Sequence, residues 1–241
     1  EYTRDGEYSD DSDQYTCECC RRSSGVFNYS YKPDPKFRPA YSDRKMYLGV
    51  EVEVNYPEGL SKTKAAEIFL KSNKTGLFYL KSDSSIGRGF EIVSHPFTLE
   101  WARSNPDWLY PITRLKDHGF TSYFGYHCGM HIHMSKGVFP PLSVYKVKTY
   151  LNKDERFILA FGRKKREMIR NYAELEKGKL FSMSTKVKHV YKEITGEYEV
   201  RYAGKLVHFN GCRDVALNVA ESTCEHRWFR GTLSGTAIMR N

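Results

Sequence analysis

The stretch that most constrains this chain is residues 125–134, which end in Gly-Met-His-Ile-His-Met. Successive side chains of a β-strand point to opposite faces of its sheet. In a strand, His131 and His133 would therefore share one face, and the apolar residues beside and between them would share the other. Two neighbouring imidazoles backed by an apolar face suit a metal or phosphate site. A half-buried strand with two solvent-facing histidines fits the pattern equally well.

A second segment, residues 47–54, also predicts a strand of alternating character. Its valines would share one face, while Glu51 and Glu53 would share the other. Two like charges side by side repel each other unless a cation lies between them. The segment therefore predicts either an acidic face exposed to solvent or a pair of carboxylates that hold a cation.

Residues 81–96 are typical of a strand, a glycine-rich turn and a second strand. Glu91 lies in the most apolar part of the second strand, where a lone carboxylate is costly unless it is paired or metal-bound. Asp83 lies at the turn, where an acidic side chain often caps the backbone. The functional interpretation is therefore stronger for Glu91 than for Asp83.

A fourth segment, residues 224–233, places Glu225 and Arg227 on one strand face and Trp228 on the other. An ion pair on a sheet surface is common and explains this pair without any function. If one sheet holds all four segments, however, one face displays several carboxylates, two imidazoles and a guanidinium. Such carboxylates suit Mg²⁺ or Mn²⁺, and acids combined with arginines suit ATP, whose phosphates the cations bridge to the acids. Arg213 would add another anion contact.

In their order along the chain, these motifs resemble the amidoligase family of the glutamine synthetase superfamily, which is found mostly in bacteria, phages and fungi. That family shows Gly-Val-Glu-x-Glu, Asp-x-Ser with Glu-Ile-Val-Ser, Cys-Gly-x-His-x-His, and Asn followed by Glu-x-Arg-x-x-x-Gly-Thr-Leu. The matching segments here are residues 49–53, 83–94, 128–133 and 218–233. The resemblance spans residues 46–235, and the chain departs from the pattern at His226 and at 219–222.

The resemblance implies an α+β fold, with a curved, mostly antiparallel sheet and helices packed on its outer face, like the catalytic domain of glutamine synthetase. It also implies an ATP- and Mg²⁺-dependent carboxylate–amine ligase. In that reaction ATP phosphorylates a substrate carboxylate, and an amine displaces the phosphate to form an amide. A peptide or protein is one expected substrate, and the cytoplasm of a bacterial or phage-infected cell is the expected location.

The resemblance also implies roles for individual residues. His133 is expected to contact phosphate, and Arg227 to stabilise the transferred phosphoryl group. Arg213 matches the family pattern more loosely and would contact the substrate carboxylate or phosphate. Asp83 is a further expected catalytic residue, and Arg230 is expected to contact the nucleotide. The expected metal ligands, for Mg²⁺ or Mn²⁺, are Glu51, Glu53, Glu91, His131 and Glu225.

Two other functions compete with a ligase. The formal charge of +9 favours polyanionic partners, so a non-enzymatic basic protein that binds nucleic acid or a host protein is one alternative. Its expected contacts with nucleic acid are Arg163, Lys164, Lys165 and Arg166, although a basic run on a helix is usually a solvated face. An ATP phosphotransferase on the same fold is the other alternative. No apolar run approaches the length of a membrane span, so no membrane partner is expected, and the sequence predicts no particular oligomer.

The chain divides into a polar arm at residues 1–44 and a catalytic domain at 45–241. The arm carries a proline-rich linker and the Cys-x-x-Cys pair Cys17 and Cys20, which is half of a zinc knuckle. Free thiols and a zinc site both fit this pair. Six irregularly spaced cysteines in a chain of this length favour a reducing cytoplasm. Apolar periodicity predicts helices at 61–74, 107–118 and 141–175, and strands at 186–209 that form a hairpin around Gly196 or a flap over the site.

Overall fold

The structure is a computed structural model that describes residues 25–123, 128–167, 169, 200–202, 205–207, 216–220 and 222–241. Arg213, Cys17 and Cys20 lie outside these ranges, as does Gly196. Their predicted roles as an anion contact, zinc ligands and a hairpin turn therefore stay predictions.

Strands and helices are interspersed along the described parts of the chain. In order they are β1 (Val26–Phe27), β2 (Leu48–Asn55), α1 (Lys62–Ser72), β3 (Phe78–Lys81), β4 (Gly89–Ser94), α2 (Leu99–Ser104), α3 (Tyr110–Thr113), β5 (Gly129–Ser135), α4 (Pro141–Lys153), α5 (Glu155–Gly162), β6 (Val200–Tyr202), β7 (Lys205–Val207), β8 (Leu217–Val219), β9 (Thr223–Arg230) and α6 (Gly235–Arg240). Short 3₁₀ turns cover Ser84–Ile86, Pro106–Leu109, Arg114–His118 and Lys136–Val138.

Seven of the strands form one sheet in the order β1-β3-β4-β2-β5-β9-β8. The neighbouring strands are antiparallel except for β1 and β3, which are parallel. The described strands β6 and β7 pair separately as a short antiparallel ribbon. The sheet is therefore mixed but mostly antiparallel, and the predicted α+β class is confirmed.

One face of this sheet forms the hydrophobic core. The valines of β2 alternate inward as predicted, and Val52 and Val54 are fully buried. Helix α1 packs on this face, where Phe69 contacts Phe78 of β3 with ring centroids 5.9 Å apart. Burial of such apolar side chains is the main favourable contribution to the free energy of folding. The other face of the sheet is thereby left to the polar side chains.

The helix predicted at residues 61–74 is confirmed as α1, and the other two predicted helical segments are each divided into shorter pieces. Helix α1 begins after Ser61, whose side chain accepts a hydrogen bond from the backbone N–H of Lys64. Residues 106–118 form α3 flanked by 3₁₀ turns instead of one continuous helix. The helical segment predicted at 141–175 is confirmed over residues 141–162, where it forms two helices, α4 and α5, because Asp154 adopts an extended backbone and caps the start of α5.

The described part of the N-terminal arm packs against the main sheet. β1 joins the edge of the main sheet, and Val26 is buried. Further on, the ring of Phe37 packs against Tyr47 with centroids 4.8 Å apart, and the Tyr47 hydroxyl donates to the carbonyl of Ala40 at 2.7 Å. Residues 25–44 thus add a strand and an aromatic wall to the sheet.

Among the described residues, no helix is both long enough and apolar enough to cross a membrane.

Candidate metal and phosphate site

The strand register gathers the predicted acidic and histidine residues on the polar face of the sheet. Glu53 of β2 pairs with Glu91 of β4, and Glu51 pairs with His131 of β5. His133 pairs in turn with Glu225 of β9. The alternation predicted for β2, β5 and β9 is therefore correct, and the structure brings together residues that lie far apart in sequence.

The first candidate metal group consists of Glu51, His131 and Glu225. The Nδ1 atom of His131 lies 3.2 Å from Oε2 of Glu51 and 3.5 Å from Oε1 of Glu225. One potential ligand atom from each residue lies within 4.8 Å of the others. This spacing allows one ion to contact all three side chains.

The second candidate group consists of Glu53, Glu91 and His131, all of them buried. The Nε2 atom of His131 lies 4.0 Å from Oε1 of Glu53, so the two groups share one imidazole. The other carboxylate oxygen of Glu53 accepts a hydrogen bond from the backbone N–H of Gly129. All five residues predicted to be metal ligands therefore belong to one of the two groups.

The carboxyl groups of this face differ in their affinity for protons. Burial and the nearby charge of Glu51 raise the pKa of Glu91 to about 9, although Lys81, 3.7 Å away, opposes the shift. Burial also disfavours ionised Glu51, but the nearby charge of His133 and the hydrogen bond and charge of His131 outweigh it and lower the pKa of Glu51 well below its usual value. At neutral pH Glu51 is therefore ionised while Glu91 keeps its proton. A cation between the carboxylates would favour the ionised form of both.

Two buried polar atoms on this face have no hydrogen-bond partner, Nε2 of His133 and Nε of Arg227. The first lies 3.1 Å from Oε1 of Glu51, but the alignment does not make a hydrogen bond. Burial of an unsatisfied donor costs free energy, so such atoms are uncommon. An anionic oxygen bound at this face would satisfy both atoms. The donor set therefore fits a divalent cation held by the carboxylates and an anion held by the imidazole and guanidinium.

Glu225 is fixed by two neighbours on the same face. Nη1 of Arg227 donates to its Oε1, and Nδ2 of Asn218 donates to its Oε2 at 3.0 Å. The sequence predicted the first contact from strand alternation, and Trp228 does face the opposite side, where it packs against Phe157 of α5. Asn218 was not among the predicted site residues, although it stands in the last of the four motifs.

Asp83 and Arg230 lie at the margin of the site. The Asp83 carboxylate caps the 3₁₀ turn by accepting from the backbone N–H of Ser85 at 2.8 Å, so its predicted capping role is confirmed. Burial, together with the charges of Glu53 and Asp83, raises the pKa of Cys128 to about 12. The guanidinium carbon of Arg230 lies 3.0 Å from the ring centroid of Tyr123.

Lys164 belongs to the site, and the sequence did not predict this. The expectation that residues 163–166 form one basic surface is wrong at Lys164, which is only 8% exposed, whereas its neighbours are exposed. Its Nζ donates to the backbone carbonyl of Arg227 at 2.7 Å. Burial lowers the pKa of Lys164 to about 8, although the nearby Glu53 carboxylate favours its charged form.

An open cavity of about 550 Å³ adjoins the row of acidic and histidine side chains on this face. This acidic row consists of Glu91, Glu53, Glu51, His131 and Glu225. Glu51 and His133 line this cavity together with Phe37 and Tyr41 of the N-terminal arm and the two lysines Lys45 and Lys136. Its size is in the range of pockets for small organic ligands and cofactors. A molecule in this cavity would lie against the first metal group.

A scan of protein-family models, a search of curated proteins and a search of solved structures each find no match to this chain.

Proposed function

We propose that this protein is an ATP- and Mg²⁺-dependent carboxylate–amine ligase. The observation that carries the proposal is the row formed by Glu91, Glu53, Glu51, His131 and Glu225 across four neighbouring strands. Buried carboxylates are costly, and a pair of divalent cations is the simplest compensation for so many in one place. The adjoining Arg227 supplies the planar donor that phosphoryl transfer requires.

In this proposal each metal group of the row holds one ion. Glu51, His131 and Glu225 hold the first, and Glu53 and Glu91 hold the second with His131 between them. The bound ions would neutralise the phosphates of ATP and orient the terminal phosphoryl group. Oxygen-rich ligand sets of this kind favour Mg²⁺ or Mn²⁺ over softer metals.

The remaining side chains act on the anionic reactants. His133 donates through its unpartnered Nε2 to a phosphate oxygen, and Arg227 offers its free Nε to the group in transfer. A substrate carboxylate attacks the terminal phosphorus, ADP leaves, and an acyl phosphate forms. An amine then attacks the acyl carbon, and the C–O bond to phosphate breaks to give an amide and inorganic phosphate. The cavity beside Glu51 has room for one of these reactants.

The test is nucleotide turnover with Mg²⁺ and a panel of carboxylates, amines and peptides. ADP, inorganic phosphate and amide in equal amounts are expected of a ligase. ADP with a phosphorylated product and no inorganic phosphate would identify a phosphotransferase instead. Absence of turnover, combined with tight binding of DNA or RNA in a parallel titration, would identify a basic binding protein and refute the proposal.

A matched pair of variants distinguishes the loss of a charge in the site from the loss of a charge elsewhere on the surface. Glu51→Gln removes one charge from the first metal group and is expected to abolish turnover. Glu67→Gln removes one charge from the exposed side of α1, where Glu67 pairs with Lys64, and is expected to leave turnover unchanged. Equal activity of both variants would contradict a role for the acidic row.

A further inference from the structure

The open cavity extends from the acidic row to residues that precede β2. Tyr47, Gly49 and Glu51 stand at every second position of this extended segment, and all three line the cavity. The backbone N–H of Ser135 donates to the carbonyl of Tyr47 at 2.9 Å, so the pairing with β5 continues to this point. A separation of four residues along a strand corresponds to about 13 Å. The cavity therefore follows the sheet for about this length from the first metal group.

Gly49 keeps the middle of this cavity open. It lies opposite His133 in the pairing of β2 and β5. A Cβ on Gly49 would lie 3.5 Å from Cβ of His133 and 3.8 Å from Oγ of Ser94, which are ordinary van der Waals distances. Its backbone does not have the positive φ that favours glycine. Neither packing nor backbone conformation requires glycine here, and a larger side chain would take its room from the cavity.

Three aromatic rings line the same cavity, those of Phe37, Tyr41 and Tyr47. The buried Tyr47 is fixed by its hydroxyl, which donates to the carbonyl of Ala40 at 2.7 Å and accepts from the backbone N–H of Ser42 at 3.0 Å. The rings of Tyr41 and Tyr47 are nearly parallel, with centroids 5.9 Å apart. Tyr41 is nevertheless 66% exposed. An exposed ring beside fixed neighbours offers a flat apolar surface to a ligand.

His95 adds a neutral hydrogen-bond donor to the lining of the cavity. Burial and the nearby charges of Lys36 and Arg38 lower the pKa of His95, so its ring is neutral at physiological pH. The backbone N–H of Lys36 donates to Nδ1 of His95 at 3.3 Å, which leaves the ring proton on Nε2. A neutral donor near aromatic rings suits a nucleobase or a sugar hydroxyl better than a phosphate.

The part of the cavity formed by Glu51 and His133 has the opposite character. Glu51 belongs to the first metal group, and Nε2 of His133 is buried without a hydrogen-bond partner. One cavity thus joins a metal and phosphate site to a lining of aromatic rings and neutral donors. A nucleoside triphosphate combines the same two characters, since it carries metal-binding phosphates at one end and a flat base that stacks on aromatic rings at the other.

We propose that the cavity binds the adenine base and ribose of ATP, with the base on the ring of Tyr41 and the triphosphate directed past Gly49 to His133 and the first metal group. This proposal rests on the proposed function and deepens it, because it assigns the nucleoside to side chains of the N-terminal arm. Phe37 and Tyr41 precede all four motifs, so the resemblance assigns them no role.

The test measures binding of a non-hydrolysable ATP analogue and of inorganic tripolyphosphate, which lacks base and ribose, by calorimetry in Mg²⁺. Tyr41→Ala is expected to weaken the ATP analogue by about five-fold to a hundred-fold, because it removes the stacked ring. Its binding of tripolyphosphate is expected to change by less than about two-fold. Tyr41→Phe, which keeps the ring, and Tyr110→Ala, which removes an exposed tyrosine of α3, are the controls and should bind both ligands like the wild type.

Gly49→Val tests the space instead of the ring. It is expected to weaken the ATP analogue by about ten-fold or more, because its side chain occupies part of the cavity. Its midpoint of urea unfolding should be at or above that of the wild type, because a β-branched residue favours a strand. Unchanged binding of the ATP analogue by this variant would overturn the proposal.

Equal weakening of both ligands by Tyr41→Ala, or no weakening of the ATP analogue, would also overturn the proposal. If Tyr41→Ala instead raises the KM of the carboxylate or amine substrate alone, that substrate occupies the cavity, and the proposed function stands without this proposal. If the wild-type protein binds neither the ATP analogue nor tripolyphosphate, the proposed function itself fails and this proposal with it.

A second measurement on the wild-type protein covers the case in which Tyr41→Ala does not fold. An ATP analogue with an azido group on its adenine ring is bound in Mg²⁺ and illuminated, and the labelled peptide is identified by mass spectrometry. The label is expected chiefly within residues 33–47, and excess ATP is expected to suppress it. Label that ATP suppresses but that lies only on residues outside the cavity would overturn the proposal.

Discussion

Replacing Glu91 by Gln should alter how the stability of the metal-free protein depends on pH. The carboxyl group of Glu91 has its usual pKa of 4.5 in the unfolded chain and a pKa of about 9 in the folded one, because it is buried and close to Glu51. Below the unfolded pKa, the group is protonated in both states and its contribution to stability is fully present. As the pH rises further, the unfolded chain releases the proton while the folded chain retains it. The folded state therefore loses stability up to the folded pKa.

The size of the effect follows from the slope. A single group that is ionised only in the unfolded state costs about 1.4 kcal/mol per pH unit. Between about pH 6 and about pH 8 the limit is thus about 2.7 kcal/mol. Lys81, now 3.7 Å from Glu91, would move closer to an ionised carboxylate and reduce the loss. We expect the wild-type protein to lose about 2 kcal/mol more than Glu91→Gln over this range.

The measurement is urea unfolding at the two pH values in the presence of EDTA. Other titrating groups of the site contribute almost equally to both proteins, so the difference between their pH dependences isolates Glu91. Glu67→Gln, on the exposed face of α1, serves as the control and should follow the wild type. Parallel pH dependences of the wild type and Glu91→Gln would refute the reasoning. Addition of Mg²⁺ should restore most of the stability of the wild type at the higher pH, because the ion favours ionised Glu91.

Three further predictions concern metal, phosphoryl transfer and the N-terminal cysteines. ATP should bind at least about ten-fold more tightly with Mg²⁺ than with EDTA, and Glu53→Ala should remove most of that difference in calorimetry; equal affinities would exclude a shared metal site. In a steady-state assay, Arg227→Ala should lower turnover by about a hundred-fold or more and change ATP affinity less. Arg227→Lys should restore little of the lost turnover, because lysine lacks the planar fork of donors. Near-normal turnover of Arg227→Lys would show that Arg227 acts only as an ion-pair partner of Glu225. Metal analysis of the purified protein decides between a zinc site and free thiols at Cys17 and Cys20. A structural site is expected to hold stoichiometric zinc that is lost only on unfolding, whereas free thiols are expected to bind zinc only weakly.

The alternation of side chains within each strand could be predicted from the sequence because it depends only on local geometry. Val52 and Val54 are buried on one side while Glu51 and Glu53 lie on the other, as their spacing required. The same rule placed the two histidines together. Glu91 was singled out for a different reason, as a lone carboxylate in an apolar strand, and the roles as metal ligands were implied by the resemblance.

The contacts between strands could not be predicted in this way. The pairing of β5 with β9 shifts between Met130 and Ile132, and only this register brings His133 opposite Glu225. The hydrogen bond from Asn218 to Glu225 depends on the same pairing and on an edge strand of three residues. Long-range register is set by packing of the whole sheet, which a single motif does not contain.

The position of Lys164 depends on a single backbone torsion and shows why charge runs are ambiguous. Four consecutive basic residues suggest a uniform surface, yet one left-handed residue after α5 sends the second of them into the acidic site. A chain selected for stability alone would do better with apolar residues in place of these buried charges. The carboxylates, the guanidinium of Arg227 and the ammonium of Lys164 are brought close together, and this costly concentration of buried charge is the feature on which the proposed function rests.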